Sequence, residues 1–486
     1  MSVHVGNAES APPFPEAAHN ALGDRQLRAN VRNATDLIQA KRNRMTGELP
    51  DWEQLRSAGQ AIKTHTLRHL DFYLEQFEEN VTHAGGHVHW AADADEADQI
   101  VTRIVQDRQG REVIKVKTMT SNEIRLNEYL EQNGITPHET DLADLIVQLG
   151  NQSPSHIVVP ALHINRTQVR DIFRAKLPLP ELGIENLTDD PSQLAEAARL
   201  YLRQKFLSVD IGISGANFAV ADTGGVVIVE SEGNGRMCLT LPDVLISVVG
   251  IEKIVPTFQD LEVFLQLLPR SATGERMNPY NSLWTGVTPG DGPSEFHVVL
   301  LDNGRTQVLL NREGRDALNC IRCGACLNVC PVYHQTGGHA YGSVYQGPIG
   351  AIITPQLQSL EHSRTLPFAS SLCGACYDVC PVKINIPEIL IQLRGEIVRD
   401  EQSSAGGKLK IENLGMHALA LFFSHSGLMS KAEAMARFAQ RSFIHGGVIT
   451  DLPGMLRGWT ESRDLMPIPK TSFRHWWKAH GKESAE

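Results

Sequence analysis

The sequence predicts an α/β domain, followed by a cysteine-rich segment and a helical C-terminal region. Three observations lead to this prediction. Segments with strand and helix periodicity alternate from about residue 85. Seven of the eight cysteines lie between Cys320 and Cys380. Beyond about residue 395, apolar residues recur at the three- and four-residue steps of packed helices. A chain of 486 residues has room for roughly two to four domains.

Residues 1–65 are predicted to form a helical N-terminal arm. TDLIQAKRNRM, and the stretch that begins at Trp52, place apolar residues on one face of a helix. The preceding segment contains Pro12, Pro13 and Pro15, and we expect it to be loose.

Residues 66–300 are predicted to form the α/β domain. HVHWAADADEADQIVTRIVQDR predicts a strand and then a helix, and EVIKVKTM predicts a strand. SNEIRLNEYLEQNG predicts a helix that Ser121 caps and Gly134 closes. PSHIVVPALH predicts a short buried strand. Alternation of this kind favours a parallel or mixed sheet.

The second half of the predicted domain contains its densest β region, residues 208–255. There Gly224-Gly225 separates segments rich in Val and Ile, which favour strands. TFQDLEVFLQLLPRSA predicts a helix. FHVVLLDNGRTQVLL predicts a hairpin whose turn is Asn303-Gly304.

The cysteine-rich segment, residues 301–395, is predicted to form an α-helical two-cluster domain of the bacterial ferredoxin type, because it contains two copies of one motif. The first copy consists of Cys320, Cys323, Cys326, Cys330 and Pro331. It has the C-x2-C-x2-C-x3-C-P spacing of proteins that bind two iron–sulfur clusters. The second copy consists of Cys373, Cys376, Cys380 and Pro381, with Ser370 in place of the first cysteine. CGACLNVCPV and CGACYDVCPV differ at two positions, which indicates an internal duplication.

The spacing predicts a crossed set of ligands for two [4Fe-4S] clusters. Steps of three residues direct three thiolates at one cubane, and the fourth cysteine of each copy ligates the other cluster. The predicted ligands of cluster one are Cys320, Cys323, Cys326 and Cys380. Those of cluster two are Cys330, Cys373 and Cys376. The missing ligand therefore falls on cluster two.

Several alternatives stay open at this stage. Paired C-x2-C motifs also bind zinc, although zinc requires neither the triple spacing nor the trailing proline. The candidates for the fourth ligand of cluster two are Ser370, Ser371, His334, His339, Cys238 and a partner subunit. An open coordination position or a three-iron cluster is a further alternative. For Cys238 we favour a buried apolar role, and for the two histidines an ordinary place in a loop.

Composition and charge exclude several functional classes. A formal net charge of −11 argues against a nucleic-acid partner. The sequence shows neither a secretory signal nor a run of the roughly 18–20 apolar residues that a transmembrane helix needs. Cysteines concentrated in one segment of a long chain indicate metal ligation rather than disulfides. We therefore expect a cytoplasmic protein, either free or associated with a membrane through its partners.

Weaker motifs lie within the α/β region and at the C-terminus. Gly233-Asn234-Gly235 matches only the start of a dinucleotide-binding loop, because Cys238 stands where the third glycine belongs. The candidate pocket residues are Asp210, Asp222, Glu230, Glu232 and Lys117, for which structural roles are the commoner explanation. The basic and aromatic stretch FRHWWKAHGK is a candidate docking segment.

KVKTMTSNEIRLNEYLEQNGI, PSHIVVPALH, SVDIGISGANFAVADTGGVVIVESEGNGR and the two cysteine motifs resemble the lactate-utilisation protein B family. The resemblance extends from about residue 60 to the C-terminus. It implies a lactate-utilisation α/β domain similar to sugar-phosphate isomerases and CoA transferases. It also implies two [4Fe-4S] clusters on seven cysteines, so the absent first cysteine is typical of the family.

The family further implies two partners, a second iron–sulfur subunit and a small protein with the same lactate-utilisation domain. Together they would oxidise L-lactate to pyruvate and enable growth on lactate. The resulting hypothesis is an iron–sulfur electron-transfer subunit of an L-lactate dehydrogenase complex that does not use NAD. The alternatives are the same role for another 2-hydroxyacid such as glycolate, or a redox-sensing iron–sulfur scaffold protein. Residues 396–486 are predicted to form a helical C-terminal domain.

Overall fold

The structure is a computed structural model that describes residues 11–358, 360–403, 411–461 and 463–480. The first ten residues of the predicted N-terminal arm lie outside the described residues, as do Gly481 and Lys482 of the C-terminal basic stretch. The chain divides into two units, Met1–Ile397 and Val398–Glu486.

A parallel sheet forms the centre of the first unit. The strands of this unit are β1 (His87–Ala91), β2 (Glu112–Lys115), β3 (Thr136–Glu139), β4 (Ile211–Ser214), β5 (Phe218–Val220), β6 (Gly225–Glu230), β7 (Val244–Gly250), β8 (Ile254–Val255), β9 (Tyr280–Trp284) and β10 (Glu295–Leu301). Six of them form one sheet in the order β1-β10-β7-β4-β2-β3, and every neighbouring pair is parallel. All seven residues of β7 are buried, because helices cover both faces of such a sheet. The predicted parallel α/β architecture is confirmed.

A smaller mixed sheet has the order β8-β5-β6-β9. The β5–β6 and β6–β9 pairs are antiparallel, and the β5–β8 pair is parallel. Gly224 has a φ of 64° in the turn between β5 and β6, a conformation that glycine adopts without steric cost. The dense β region is thus confirmed, although a helix that the sequence did not predict, Asn234–Thr240, interrupts it.

Helices surround these sheets and form most of the region after β10. The helices of the first unit, up to the one that runs across its boundary, are α1 (Phe14–Leu22), α2 (Arg25–Gly47), α3 (Trp52–Arg68), α4 (Leu70–His83), α5 (Ala94–Asp107), α6 (Met119–Glu123), α7 (Leu126–Gln132), α8 (Leu142–Leu149), α9 (Arg166–Lys176), α10 (Pro191–Ser208), α11 (Asn234–Thr240), α12 (Phe258–Ala272), α13 (Arg305–Leu310), α14 (Ala325–Asn328), α15 (Tyr333–Thr336), α16 (Gly347–Leu357), α17 (Ala375–Val379) and α18 (Ile386–Ser403). Short 3-10 turns link several of them: Ile251–Lys253, Arg315–Asn319, His339–Tyr341 and Leu366–Phe368.

From Phe14 onward the proline-containing segment is helical rather than loose, so that part of the prediction is wrong. Helix α1 begins at Phe14, directly after Pro13. The ring of Phe14 lies 5.0 Å from that of Tyr341, and its N–H donates to Thr365 Oγ1 at 3.0 Å. Contacts with residues more than 300 positions away therefore fix this segment.

The helix predicted from SNEIRLNEYLEQNG forms in two pieces. Arg125 has a φ of 59° and separates α6 from α7. Ser121 is not the helix cap, because it lies buried inside α6 and its Oγ accepts a hydrogen bond from Lys115 Nζ at 2.8 Å.

Two predicted β elements are absent. PSHIVVPALH folds as a loop in which the N–H groups of Val158 and Val159 both donate to His156 Nδ1 at 3.0 Å. The Asn303-Gly304 pair has positive φ angles of 44° and 89°, but it leads from β10 into α13 rather than into a second strand. Strand β10 is parallel to both of its neighbours, so it has no hairpin partner.

The second unit contains the helices predicted after residue 395. Its described elements are the helices Ile411–Ser424, Ser426–Ala439, Arg457–Thr460 and Phe473–His480, the 3-10 turns Gln440–Phe443 and Gly454–Leu456, and the paired strands Ile444–His445 and Val448–Ile449. Among the residues that the structure describes, no helix combines the length and apolarity needed to cross a membrane.

Candidate iron–sulfur site

The two cysteine motifs fold into loops with the same backbone conformation. Arg322 and Gly324 in the first loop have φ angles of 60° and 73°. Leu372 and Gly374, at the equivalent positions of the second loop, have φ angles of 55° and 86°. Each loop then enters a short helix, α14 or α17. The duplication seen in the sequence therefore extends to the backbone.

The thiols predicted to bind cluster one face a single cavity. Its cysteines are Cys320, Cys323, Cys326 and Cys380. Its apolar walls include Ile349, Val382, Ile384 and Ile386. Four thiols around an apolar cavity form the donor set that a [4Fe-4S] cubane takes, so the residues present fit this cofactor.

Backbone N–H groups donate to two of these sulfurs. The N–H of Arg322 lies 3.3 Å from Cys320 Sγ, and that of Ile384 lies 3.3 Å from Cys380 Sγ. Hydrogen bonds to ligating sulfurs stabilise a reduced cluster and raise its potential.

Burial controls the protonation of three of the four thiols that line the cavity. It raises the pKa of Cys380 to about 11 and shifts the pKa values of Cys323 and Cys326 further upward. Without a cluster these thiols are therefore protonated at neutral pH. Binding of iron to them must release protons, because the thiolate is the ligand.

Two N-terminal helices supply arginines that hold the second cysteine loop at Cys380, a predicted ligand of cluster one. Arg42 of α2 donates to the carbonyl of Val379 at 2.9 Å, and Arg56 of α3 donates to the carbonyl of Cys380 at 2.9 Å. Both side chains are mostly buried. Neither arginine was among the predicted site residues, although a basic side chain within an otherwise amphipathic helix is a usable signal.

The cysteines predicted for cluster two also lie together, but nearer the surface. Burial, with the proximity of Cys330 and Cys373, raises the pKa of Cys376 to about 12. Cys330 and Cys376 are buried, whereas Cys373 is exposed. Among the described residues, no three His, Cys, Asp or Glu side chains are grouped for a single metal ion. A structural zinc ion takes four such ligands, whereas a cubane distributes its thiolates over separate irons.

The structure distinguishes the candidates for the fourth ligand of cluster two. Ser370 occupies the position in the second loop that Cys320 occupies in the first, and Ser371 beside it is exposed. Cys238 is fully buried in another core cluster, where its Sγ lies 3.4 Å from Thr140 Oγ1. Nε2 of His334 donates to the carbonyl of Asn328, and Nε2 of His339 to that of Ser153, each at 2.7 Å.

A buried network of charges around Glu252 joins the first cysteine loop, residues 320–326, to the α/β domain. We call this loop the cluster-one loop. Arg305 makes two hydrogen bonds of 2.9 Å to the carboxylate of Glu123 and also pairs with Glu252. Arg322 Nη2 reaches Glu252 Oε1 at 3.3 Å. Burial opposes ionisation of Glu252, but the cations of Arg305, Lys253 and Arg322 hold its pKa at about 2. These pairs fix Arg322, which lies between two predicted cluster ligands, against the sheet.

A cavity of about 200 Å³ lies at the carboxyl edge of the parallel sheet. The charged side chains along it are Lys117, Asp141, Glu230, Glu232, Lys253 and Arg322. Three of the predicted pocket residues, Lys117, Glu230 and Glu232, thus line this cavity. The other two do not, because Asp222 accepts hydrogen bonds from the N–H of Phe258 and Asp210 lies at the opposite edge.

The partial glycine motif does not form an open phosphate site. The Glu230 carboxylate accepts hydrogen bonds from the N–H groups of Gly233 at 2.6 Å and Arg236 at 3.1 Å. In a dinucleotide-binding loop, such N–H groups would face the pyrophosphate.

Three family models match the chain in succession. The LUD domain model matches residues 74–301, and the 4Fe-4S dicluster domain model matches residues 316–384. The model described as lactate utilisation protein B, C-terminal, matches residues 392–482. The predicted order of an α/β domain, a dicluster domain and a helical C-terminal region is therefore confirmed.

Curated relatives match along the whole chain. It is 44% identical to the Lactate utilization protein B of Bacillus licheniformis, with 100% of both chains covered. It is 43% identical to the protein of that name in Bacillus subtilis, with 95% of each covered. A solved DUF162 family protein from Deinococcus radiodurans aligns with 48% of this chain and 98% of its own, at 15% identity and a TM-score of 0.25, too low to bear on the fold.

Proposed function

Because this chain belongs to the lactate utilization protein B family, we propose that it is the iron–sulfur electron-transfer subunit of a complex that oxidises L-lactate to pyruvate. The observation that carries the proposal is the set of four thiols, Cys320, Cys323, Cys326 and Cys380, around one apolar cavity. Such a site supports one-electron transfer, which is the chemistry that a [4Fe-4S] cluster supplies when bound.

The crossed ligand sets complete the proposal. Cluster one is held by the four cysteines of the apolar cavity. The ligands of cluster two are Cys330, Cys373 and Cys376. The proposed partners are a second iron–sulfur subunit and a small protein with a lactate-utilisation domain. Conversion of L-lactate to pyruvate releases two electrons and two protons, so the complex must pass two electrons, one at a time, to an acceptor.

The difference in burial between the two sites supports a direction for electron transfer. Cys323, Cys326 and Cys380 are buried, whereas Cys373 is exposed. A cluster on the exposed side can approach a partner protein, while a buried one is shielded from water and oxygen. We therefore place cluster one on the substrate side and cluster two on the side of the partner iron–sulfur subunit.

The test uses this chain purified anaerobically with both partners. L-lactate should reduce an artificial one-electron acceptor, and Cys320→Ala should abolish that reduction. Cys238→Ala is the matched control, because it removes the one cysteine outside both motifs and should retain both clusters. Wild-type activity that survives the complete loss of cluster one would contradict the proposal. A parallel panel that includes glycolate decides whether another 2-hydroxyacid is the substrate.

A further inference from the structure

We propose that the cavity at the carboxyl edge of the parallel sheet binds the carboxylate of a small 2-hydroxy monocarboxylic acid, with Lys253 and Arg322 as the anion-binding side chains. This inference rests on the proposed function and gives its substrate a location on this chain. The cavity lies against the cluster-one loop, because Arg322 belongs to both.

The position of the cavity is typical of ligand sites in open α/β sheets. Its walls include residues directly after β2, β4 and β7, such as Lys117, Gly215 and Lys253. The carboxyl ends of parallel strands form the usual binding crevice. A volume of about 200 Å³ is below the roughly 300–1,000 Å³ of pockets for drug-sized ligands. The space therefore suits a molecule of a few heavy atoms.

Lys253 brings a positive charge to this cavity that Glu252 compensates only in part, because the same carboxylate also faces Arg305 and Arg322. Its side chain is 8% exposed, and its ammonium makes no hydrogen bond or ion pair with any residue that the structure describes. Burial lowers its pKa to about 8, so the group remains protonated at neutral pH. A buried ammonium without a hydrogen-bonded counterion is costly, and an anionic ligand would reduce that cost.

Arg322 contributes a second unsatisfied donor. Its guanidinium is held by Glu252 on one side, through Nη2, and lies 4.6 Å from the centre of the Tyr345 ring. Nη1 is buried and has no hydrogen-bond partner. Burying a donor without a partner costs roughly 1–3 kcal/mol. A carboxylate placed between Lys253 and Arg322 would satisfy both groups.

The acidic side chains around the cavity limit the charge of the ligand. Asp141, Glu230 and Glu232 also line it. Glu230 is occupied by backbone N–H groups, and Glu232 lies at the exposed mouth, where it accepts the N–H of Leu142 at 3.2 Å. Like charges repel, so a second carboxylate near this mouth is disfavoured. The cavity therefore selects monocarboxylates over dicarboxylates.

Binding at this position is expected to affect cluster one directly. The N–H of Arg322 donates to Cys320 Sγ at 3.3 Å, so the residue that contacts the ligand also contacts a predicted cluster ligand. An anion beside Arg322 neutralises part of its charge and makes reduction of cluster one harder. The signal of cluster one thus reports binding even when no turnover occurs.

The experiment titrates the anaerobic, cluster-loaded full chain with L-lactate, glycolate and L-malate. Calorimetry and electron paramagnetic resonance of the reduced protein follow binding. L-lactate should bind and shift the cluster-one signal, and L-malate should bind at least tenfold more weakly. Lys253→Met should weaken L-lactate binding at least tenfold while iron content and thermal unfolding are retained. Lys176→Met, which changes an exposed lysine of α9, is the matched control and should bind as wild type does.

Further outcomes separate this inference from the proposed function. Burial and the nearby Asp141 raise the pKa of Glu232 to about 7, so Glu232→Gln should recover part of the L-malate affinity above pH 7, where it removes one repelling charge. Unchanged lactate affinity in Lys253→Met, or a wild-type cluster signal that lactate does not alter, would overturn the inference. Lactate binding with no acceptor reduction by the complete complex would instead overturn the proposed function and leave the binding site intact.

Discussion

The backbone N–H of Leu372 donates a hydrogen bond to Ser370 Oγ at 3.1 Å. In the first loop the N–H of Arg322 donates to Cys320 Sγ at 3.3 Å in the same way. Ser370 thus keeps both the position and the hydrogen-bond donor of Cys320, a predicted cluster ligand, with oxygen in place of sulfur. The second loop is therefore already folded for a fourth ligand.

We expect Ser370 to be the residue that completes cluster two. Ser370→Cys should give this cluster four thiolate ligands. The spectrum of its fourth iron should then resemble the spectra of the three irons that cysteines already bind. Ser370→Ala should promote loss of that iron and increase the three-iron signal after mild oxidation. Mössbauer and electron paramagnetic resonance spectra of anaerobic protein measure both effects. Ser371→Ala is the control, and identical spectra for all variants would exclude a role for Ser370.

The buried arginine of α2 should raise the potential of cluster one. Arg42 donates to the carbonyl of Val379 at 2.9 Å, and its charge lies near Cys323 and Cys380. Arg42→Gln removes a cation that stabilises the reduced cluster, so the midpoint potential should fall by an amount on the order of tens of millivolts. A redox titration monitored by electron paramagnetic resonance measures this. Arg32→Gln, an exposed change on the same helix, should leave the potential where it was.

The buried ion pairs of Glu252 with Arg305 and Arg322 should dominate the stability of the contact between the α/β domain and the cluster-one loop. Glu252→Gln leaves the Arg305 and Arg322 charges buried with less compensation, a change that costs roughly 3–5 kcal/mol. Denaturation of the cluster-loaded protein should therefore begin at a clearly lower urea concentration. Glu196→Gln removes one side of an exposed pair with Arg199 and should have little effect. Equal midpoints for the two variants would show that the network contributes nothing.

Cluster two should be the first to react with oxygen. Cys373 of the cluster-two set is exposed, whereas Cys323, Cys326 and Cys380 of the cluster-one set are buried and Cys320 is partly buried. Solvent access controls how fast an iron–sulfur site is oxidised, because the oxidant must reach it. Brief exposure to air should convert cluster two to a three-iron form while the signal of cluster one persists. Loss of both signals at the same rate would contradict the difference in burial.

Asp98 should make the stability of the α/β domain depend on pH. Its side chain is 4% exposed, and burial raises its pKa to about 8, compared with about 4 in an unfolded chain. The folded state thus holds a proton that the unfolded state lacks, and the associated stability is lost as pH rises from about 4 through about 8. Asp98→Asn removes this loss, which a shift of about four pKa units limits to roughly 5 kcal/mol.

Thermal unfolding at pH 5 and pH 9 measures the effect of Asp98. The Tm of Asp98→Asn should fall by a few degrees less than that of wild type over this interval. Asp107→Asn, an exposed change at the end of the same helix α5, should follow wild type. If Asp98→Asn and wild type show the same pH dependence, Asp98 is ionised in the folded protein.

The sequence by itself determined the order of domains and the positions of the two cysteine motifs. Both depend on local patterns, because apolar periodicity specifies helix or strand and cysteine spacing specifies how a loop presents its thiols. The sequence did not determine the secondary structure of short apolar runs. PSHIVVPALH became a loop turned by His156, and the Asn303-Gly304 pair became the entry to α13. Such segments are ambiguous until neighbouring strands fix their partners.

Only the tertiary structure decided which distant residues meet. Arg42 and Arg56 reach the second cysteine loop from more than 300 positions away, and Lys253 and Arg322 line one cavity at the edge of the sheet. No local pattern encodes these contacts, because they arise where separate elements bury their polar groups against one another. The predicted ligand role of each thiol therefore followed from the sequence, whereas the charged residues around it depended on how the chain packs.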